Sequence, residues 1–208
     1  MARGCLMSRF SSTEVYALND VINVDVDRLC EAGFQLATFD MDKTLVGQTE
    51  TELSSERQEM FKKFGEVGIQ VAIISNAYGE RVDRVKSIAH QISELTTDRC
   101  HSYTPAEVMN NKKPHPAMFL KALCIAGITE TPSMAIHFGD QVRADVVGAE
   151  YAKYRAAVVV APTGEGDDPF VRMGRIFVEP YLRHVRSLPN TIDDFPSSLP
   201  DIAYRRCR

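Results

Sequence analysis

Four short apolar runs, separated by segments with helical periodicity, constrain the fold of this 208-residue chain more than any other feature. Each run is rich in β-branched or aromatic residues and ends at polar or turn-forming residues, which is typical of buried strands. The four runs are FQLATFD (34–40), IQVAIIS (69–75), SMAIHFGD (133–140) and AAVVVAP (156–162). Because the runs alternate with helical segments, we expect an α/β fold in which helices cover both faces of a parallel sheet.

The segments between these runs carry the predicted helices. Apolar residues recur at helical spacing in 54–68, 80–91, 116–127 and 144–154, and a weaker pattern covers 25–32. Ser55 and Gln58 have the spacing of a capping box at the start of the first long helix. No linker divides the chain, so we predict one domain over 15–190 and a Pro- and Ser-rich tail over 191–208.

Composition narrows the classes of function. The formal net charge is −4, whereas general nucleic-acid binders present a basic face, so no nucleic-acid partner is expected. The five cysteines have no CxxC spacing, which argues against a zinc site and favours a reducing compartment. No apolar run approaches the roughly 20 residues of a membrane-spanning helix, so the predicted location is the cytoplasm, with contact to a membrane surface left open. The Arg- and Ser-containing start of the chain leaves a short targeting segment open as well.

Polar side chains follow three of the predicted strands. They are Asp40 and Asp42 after the first strand, Ser75 and Asn76 after the second, and Asp140 after the third, with Asp145 farther along. In a parallel α/β sheet these strand ends meet at one edge, where ligands bind. Three carboxylates in one pocket repel each other and need a hard cation, for which Mg²⁺ is the natural choice. Taken alone, the Asp40 and Asp42 pair is equally compatible with an ordinary Asx turn.

A phosphate bound at such a site would need a lysine, because a carboxylate that attacks a phosphoryl group meets like charge. Lys113, in NNKKPHP, is the candidate, and we expect Pro114 to fix its position at the start of a helix. His137 lies within a predicted strand, so we expect it to be packed or hydrogen-bonded rather than to act as a base.

The segments DMDKT (40–44), SNA (75–77), KKPHP (112–116) and GDQVRAD (139–145) resemble, in order, the four motifs of the haloacid dehalogenase superfamily of aspartate-nucleophile phosphatases. The resemblance implies a Rossmann-like α/β domain and Mg²⁺-dependent hydrolysis of a phosphate monoester. Asp40 would be the nucleophile that forms an aspartyl-phosphate, and Asp42 the general acid and base. The other implied roles are substrate binding for Thr44, Ser75 and Asn76, charge stabilisation for Lys113, metal binding for Asp40, Asp42 and Asp140, and support of the metal site for Asp145.

The spacing of the motifs leaves little room for a cap domain over the site. The 36 residues from 77 to 112 hold little more than a helix and a short strand. Over 15–190 the chain resembles the capless branch of the superfamily that contains the mitochondrial phosphatidylglycerophosphate phosphatase and its bacterial relatives. That resemblance implies an open site for a phosphate displayed on something large, such as a lipid headgroup. Lys43 and Ala77 stand where Asn is common in the family, a departure that concerns phosphate affinity rather than catalysis.

Two other functions stay open at this point. The same chemistry could act on a soluble sugar phosphate or nucleotide if a homo-oligomer supplied the cap, and the sequence does not fix the oligomeric state. A non-catalytic binding module is the alternative of a different class, although it would not need a complete nucleophile, acid and metal set. The stretch 170–189 is predicted to be an ordinary surface helix, with a membrane-surface element as the alternative, because it places four arginines among apolar residues: Arg172, Arg175, Arg183 and Arg186.

Overall fold

The computed structural model describes residues 13–97, 100–163, 179–185, 188 and 196–200. Within them, six strands form one sheet: β1 Glu14–Leu18, β2 Leu36–Phe39, β3 Gln70–Ile74, β4 Cys100–Tyr103, β5 Ala135–Gly139 and β6 Ala156–Val160. Neighbouring strands are all parallel, and their order across the sheet is β1–β6–β5–β2–β3–β4. The predicted α/β fold with a parallel sheet is therefore confirmed.

Helices connect the strands and cover both faces of the sheet. They are α1 Val26–Glu31, α2 Ser55–Val67, α3 Arg81–Leu95, α4 Ala117–Ile125, α5 Val147–Tyr151 and α6 Glu179–Val185. Short 3₁₀ turns lie at Val21–Asn23, Pro105–Val108 and Pro132–Met134, and a π-helical turn at Val142–Val146 leads into α5. The predicted helix over 144–154 is thus divided into a π-helical turn and a short α-helix.

The start of α2 differs from the prediction by one residue. Ser54 is the N-cap, and its hydroxyl accepts a hydrogen bond from the backbone N–H of Arg57. The side chain of Gln58 donates instead to the carbonyl of Leu53, at 3.0 Å. The predicted capping box of Ser55 and Gln58 is therefore wrong, because Ser55 already lies inside the helix. Ser54 and Ser55 are equally good N-cap residues in the sequence, and only the backbone conformation shows which of them is the cap.

The sheet separates two hydrophobic clusters. One lies between the sheet and α1, α2 and α3, and the other between the sheet and α4, the π-helical turn and α5. Phe39 of β2 is at the centre of the first cluster, where its ring stacks on Phe138 at a centroid distance of 4.9 Å and meets Phe61 and Phe64 edge-on at 5.4 and 5.7 Å. This packing anchors β2 one residue before Asp40.

The position of β2 brings the predicted site residues together. It pairs with β5 on one side and with β3 on the other. Asp40, Asp140 and Ser75 each follow directly after one of these three neighbouring strands. Two of the connections that leave this edge, 40–54 and 104–116, hold only a 3₁₀ turn and the isolated bridge of Asp42 with Val46, so neither forms a cap domain.

The C-terminal predictions are covered only in part. Of the stretch 170–189, the described residues are those of α6 and Leu188. Arg183 is buried there, with its Nε 3.7 Å from a carboxylate oxygen of Glu179, so this arginine is not available to a membrane surface. Arg172, Arg175 and Arg186 lie outside the described residues, as does most of the predicted tail over 191–208. The domain bounds 15–190 stay a prediction.

We predict that Phe39→Ala lowers the free energy of unfolding by about 3–5 kcal/mol, because it opens a cavity among three aromatic rings. Chemical denaturation would measure the change. Tyr151→Ala, at a side chain that is 63% exposed, is the control and should change stability by less than about 0.5 kcal/mol. Equal effects of the two substitutions would contradict this account of the core.

Candidate active site

A cleft of about 190 Å³ lies at the carboxyl edge of the sheet, above β2, β3 and β5. Six of the eight predicted site residues line it: Asp40, Asp42, Ser75, Asn76, Lys113 and Asp140. The other two, Thr44 and Asp145, are buried. The structure therefore gathers predicted residues that are as much as 100 positions apart, from 40 to 140, around one cleft.

The ammonium group of Lys113 lies between two carboxylates. Its Nζ is 2.5 Å from Oδ1 of Asp40 and 2.6 Å from Oδ1 of Asp145. Burial would lower the pKa of Lys113, but the charges of Asp145 and Asp40 outweigh it and raise this pKa. Burial would raise the pKa of Asp145, but the charge of Lys113 and the contact with His137 hold this pKa below its usual range. Lys113 is therefore a fixed positive charge beside the predicted nucleophile.

Asn76 holds the backbone of Lys113. The N–H of Lys113 donates to Oδ1 of Asn76 at 2.7 Å, and the amide of Asn76 donates back to the carbonyl of Lys113 at 3.3 Å. Asn76 lines the cleft, and its predicted role in substrate binding stays a prediction beside this contact with the lysine. Pro114 was expected at the start of a helix, whereas α4 begins only at Ala117, so that expectation is wrong. The Asn76 amide, rather than a helix terminus, fixes this loop against β3.

Three carboxylates form a group that could hold a metal ion. Asp40, Asp140 and Asp145 are all buried, and one oxygen of each lies within 4.8 Å of the others. Burial, with the charges of Asp145 and Asp140, raises the pKa of Asp40 to about 7 against the opposing effect of Lys113. Crowded carboxylate oxygens that are costly to ionise together suit a hard divalent cation such as Mg²⁺. The residues present therefore fit the predicted metal.

His137 supports this group from within the sheet. The ring is fully buried in β5, with Nδ1 2.8 Å from the hydroxyl of Thr38 and Nε2 3.3 Å from Oδ1 of Asp145. Burial lowers the pKa of His137, which favours the neutral ring. The expectation that His137 is packed and hydrogen-bonded is confirmed. It faces Asp145 rather than the cleft, so it can orient that carboxylate but does not line the site.

Asp42 lies apart from the three-carboxylate group. Its two oxygens form ion pairs with two arginines of α3, Oδ2 with Arg81 and Oδ1 with Arg84. Sequence reasoning treated 80–91 only as a helix and missed both arginines. The sequence did contain a signal. Two basic residues in the first turn of a helix interact unfavourably with the helix dipole, so their presence there suggests an acidic partner.

Lys43 has a backbone conformation that would suit Asn better. Its backbone is left-handed, with φ of 67°, and its N–H donates to the carbonyl of Val46 at 2.7 Å. Asn adopts this conformation more readily than Lys, because its short polar side chain can hydrogen-bond locally. The tight turn buries Thr44, whose hydroxyl has no hydrogen-bond partner among the described residues.

The fold and the site define a class of protein: a parallel α/β sheet that carries acidic side chains and a lysine at its carboxyl edge. The sequence profile of the haloacid dehalogenase-like hydrolases matches residues 23–153, and the chain belongs to that family. No curated protein matches the chain in sequence.

Several solved structures are similar to the chain. A HAD family hydrolase from Deinococcus radiodurans R1, with bound phosphate and sodium, is 16% identical with a TM-score of 0.50, over 70% of this chain and 89% of that one. A HAD phosphatase from Thermococcus onnurineus is 14% identical with a TM-score of 0.43, over 70% and 99% of the two chains. The cobalt-bound deoxy-D-mannose-octulosonate 8-phosphate phosphatase from Haemophilus influenzae is 16% identical with a TM-score of 0.41, over 76% and 92%. At 16% identity, the similarity to the Deinococcus structure is evidence for the fold alone.

Gly139 gives Asp145 the space to reach Lys113. A Cβ at position 139 would lie 2.2 Å from Cγ of Asp145, so Gly139→Ala must displace that carboxylate. We expect a loss of about 1–3 kcal/mol in the free energy of unfolding, measured by chemical denaturation. Gly47→Ala is the control, because its Cβ would meet only the flexible carboxylate end of Glu50. An unchanged free energy of unfolding in Gly139→Ala would contradict the close packing of Asp145 against Gly139.

Asp40 should make the stability of the metal-free protein depend on pH. Its pKa is raised to about 7, so the contribution of the neutral group is complete below about pH 4 and is lost as pH rises through about 7. The side chain at position 40 stays neutral in Asp40→Asn, so only wild type loses stability as pH rises. The free energy of unfolding of the variant minus that of wild type should therefore increase from pH 5 to pH 8, by on the order of a few kcal/mol. Denaturation with a chelator present would measure this. Added Mg²⁺ should shrink the difference at pH 8, and a difference independent of pH would contradict the raised pKa.

Proposed function

We propose that the protein is a Mg²⁺-dependent phosphomonoester hydrolase that works through an aspartyl-phosphate on Asp40. The observation that carries the proposal is the contact of the Lys113 ammonium with Asp40, at 2.5 Å, beside a buried carboxylate group that opens on a cleft. Family membership supports hydrolase chemistry. The phosphate bound to the Deinococcus relative shows that a protein of this fold can take the anion.

The first half of the reaction transfers the phosphoryl group to the protein. The Asp40 carboxylate attacks phosphorus, the bond from phosphorus to the ester oxygen breaks, and Asp42 gives its proton to the departing alcohol. In the second half, Asp42 takes a proton from water, and the resulting hydroxide attacks phosphorus. The acyl phosphate is cleaved, inorganic phosphate leaves and Asp40 is restored as a carboxylate.

The surrounding residues oppose the repulsion between the nucleophile and the phosphate. Lys113 supplies a positive charge that is already desolvated and aimed at the reacting carboxylate. Ser75 and Thr44 are proposed to bind the phosphoryl oxygens, and Asn76 to keep Lys113 in place. Asp40, Asp140 and Asp145 would hold Mg²⁺, which when bound would neutralise phosphate charge. Asp42 is left out of this metal set because its carboxylate pairs with arginines.

We propose that the site is open at this edge, which would favour a phosphate presented on a large or anchored molecule. No cap domain is formed by the connections 40–54 and 104–116, which leave the edge where the cleft lies. We propose a lipid headgroup of the phosphatidylglycerophosphate type as the substrate, in keeping with the resemblance to the capless branch. None of the described helices is long and apolar enough to cross a membrane. On this proposal, the lipid is met at a membrane surface.

Asp40→Asn should reduce turnover by at least about 10³-fold, because it removes the carboxylate that contacts Lys113 and would form the acyl phosphate. Lys113→Met should cause a comparable loss, since the nucleophile would face the phosphate without its cation. Lys112→Met, one residue away, is the matched control and should keep wild-type turnover. Mg²⁺-dependent phosphate release measures all three, and circular dichroism verifies folding. Near-wild-type activity of Asp40→Asn would exclude the aspartyl-phosphate mechanism.

A substrate panel separates the remaining possibilities. Lipid, sugar and nucleotide monophosphates should be compared with Mg²⁺ and after chelation. Preference for phosphatidylglycerophosphate supports the lipid proposal, whereas preference for a soluble phosphate points to a cap supplied by a second copy, which gel filtration would detect. Absence of turnover across the panel, with a folded protein, would favour a binding module.

A further inference from the structure

We propose that Arg81 and Arg84 form a second anion subsite beside the phosphoryl pocket, which Asp42 occupies until a substrate brings its own second anionic group. The inference rests on the proposed function and names a substrate class for it: phosphomonoesters that carry a further phosphodiester, phosphate or carboxylate. Neither arginine belongs to the four sequence motifs.

Helix geometry places both arginines on one side of α3. The helix begins at Arg81, and Arg84 follows three residues later, so the two side chains project from the same face. Their Nη2 atoms reach the two different oxygens of Asp42. The Asp42 carboxylate thus occupies the position that another anion of similar size would take between two guanidinium groups.

The two arginines are held to different degrees. The Arg84 side chain is only 12% exposed, and its Nη1 also donates to the carbonyl of Gly47 at 3.4 Å. Its Nε is buried without a hydrogen-bond partner among the described residues. Arg81 is 58% exposed and lines the same cleft as Asp40 and Asp42. Arg84 is therefore the buried and fixed residue of the subsite, and Arg81 is the exposed residue that an incoming ligand would contact.

The charge balance favours an anion at this position. Two guanidinium groups face one carboxylate, so the cluster of Arg81, Arg84 and Asp42 keeps a formal charge of +1, from two positive charges and one negative. Guanidinium groups bind phosphate and carboxylate oxygens through paired hydrogen bonds, which makes them suited to a second phosphate. An ordinary surface ion pair would need only one of these arginines.

The arrangement also bears on Asp42 itself. Both of its oxygens contact arginines, so neither can protonate an ester oxygen above Asp40 while these contacts last. A substrate anion that replaces Asp42 between the arginines frees the carboxyl group for acid and base catalysis. Substrates without such a group leave Asp42 engaged. Arg81 and Arg84 are thus positioning residues for Asp42 as well as ligands for the substrate.

Binding of two non-hydrolysable phosphonates to the full chain tests the subsite. Isothermal titration with Mg²⁺ present would compare propylphosphonate with propane-1,3-bisphosphonate. We expect wild type to bind the bisphosphonate at least tenfold more tightly, and Arg81→Gln to reduce this ratio to threefold or less. Arg57→Gln is the matched control: Arg57 pairs with Asp20 and does not line the cleft, so the ratio should stay at the wild-type value.

Asp42→Asn distinguishes an anion subsite from a purely structural ion pair. Removing the competing carboxylate should raise the ratio of the two affinities above the wild-type value, opposite to the effect of Arg81→Gln. Equal affinities in wild type, no binding of either phosphonate, or a ratio that neither substitution changes would overturn the inference. Because the phosphonates are not hydrolysed, these outcomes are independent of turnover. Failure of the phosphatase assay would therefore overturn the proposed function, and the titration would still decide the subsite.

Discussion

The contact of Lys113 with Asp40 and Asp145 is the interaction on which the site depends. Three carboxylates with oxygens within 4.8 Å of one another are buried together, and a buried charge is costly unless it is paired. Lys113 offsets part of that cost by meeting two of them at 2.5 and 2.6 Å. Removing this one ammonium group would leave the acids to repel each other. The edge of the sheet can therefore carry its acids because the loop before α4 supplies a cation.

The fold contributes by fixing both sides of this contact. Phe39 packs among three aromatic rings directly before Asp40, so the proposed nucleophile follows directly after a strand that is anchored in the core. Gly139 leaves the space into which Asp145 turns, and Asn76 ties the backbone of Lys113 to the end of β3. Residues that follow three neighbouring strands, Asp40, Asn76 and Asp145, thus all meet Lys113 at hydrogen-bond distance. This preorganisation is what electrostatic stabilisation of a phosphoryl group requires.

Much of this arrangement could be predicted from the sequence. β2, β3, β5 and β6 are continuous apolar runs, and the polar residues that follow them indicated where the site lies. β1, with the sequence EVYAL, was not predicted, because it is a short strand that carries a charged residue and, among the strands the structure describes, pairs with β6 alone. The pairing of Asp42 with Arg81 and Arg84 was also missed. Periodicity assigns a residue to a helix but does not say how far a long side chain reaches from it.

The charges around the cleft include two sets that attract opposite ions. The deep set of Asp40, Asp140, Asp145 and Lys113 has a formal charge of −2, which attracts a divalent cation. The outer set of Asp42, Arg81 and Arg84 has a formal charge of +1, which attracts an anion. A phosphate that bridges the two sets, with its metal below and its further anionic group outside, would satisfy both at once. On the proposed function, this separation of charge in depth within one cleft would favour the cation, the scissile phosphate and one direction of substrate entry together.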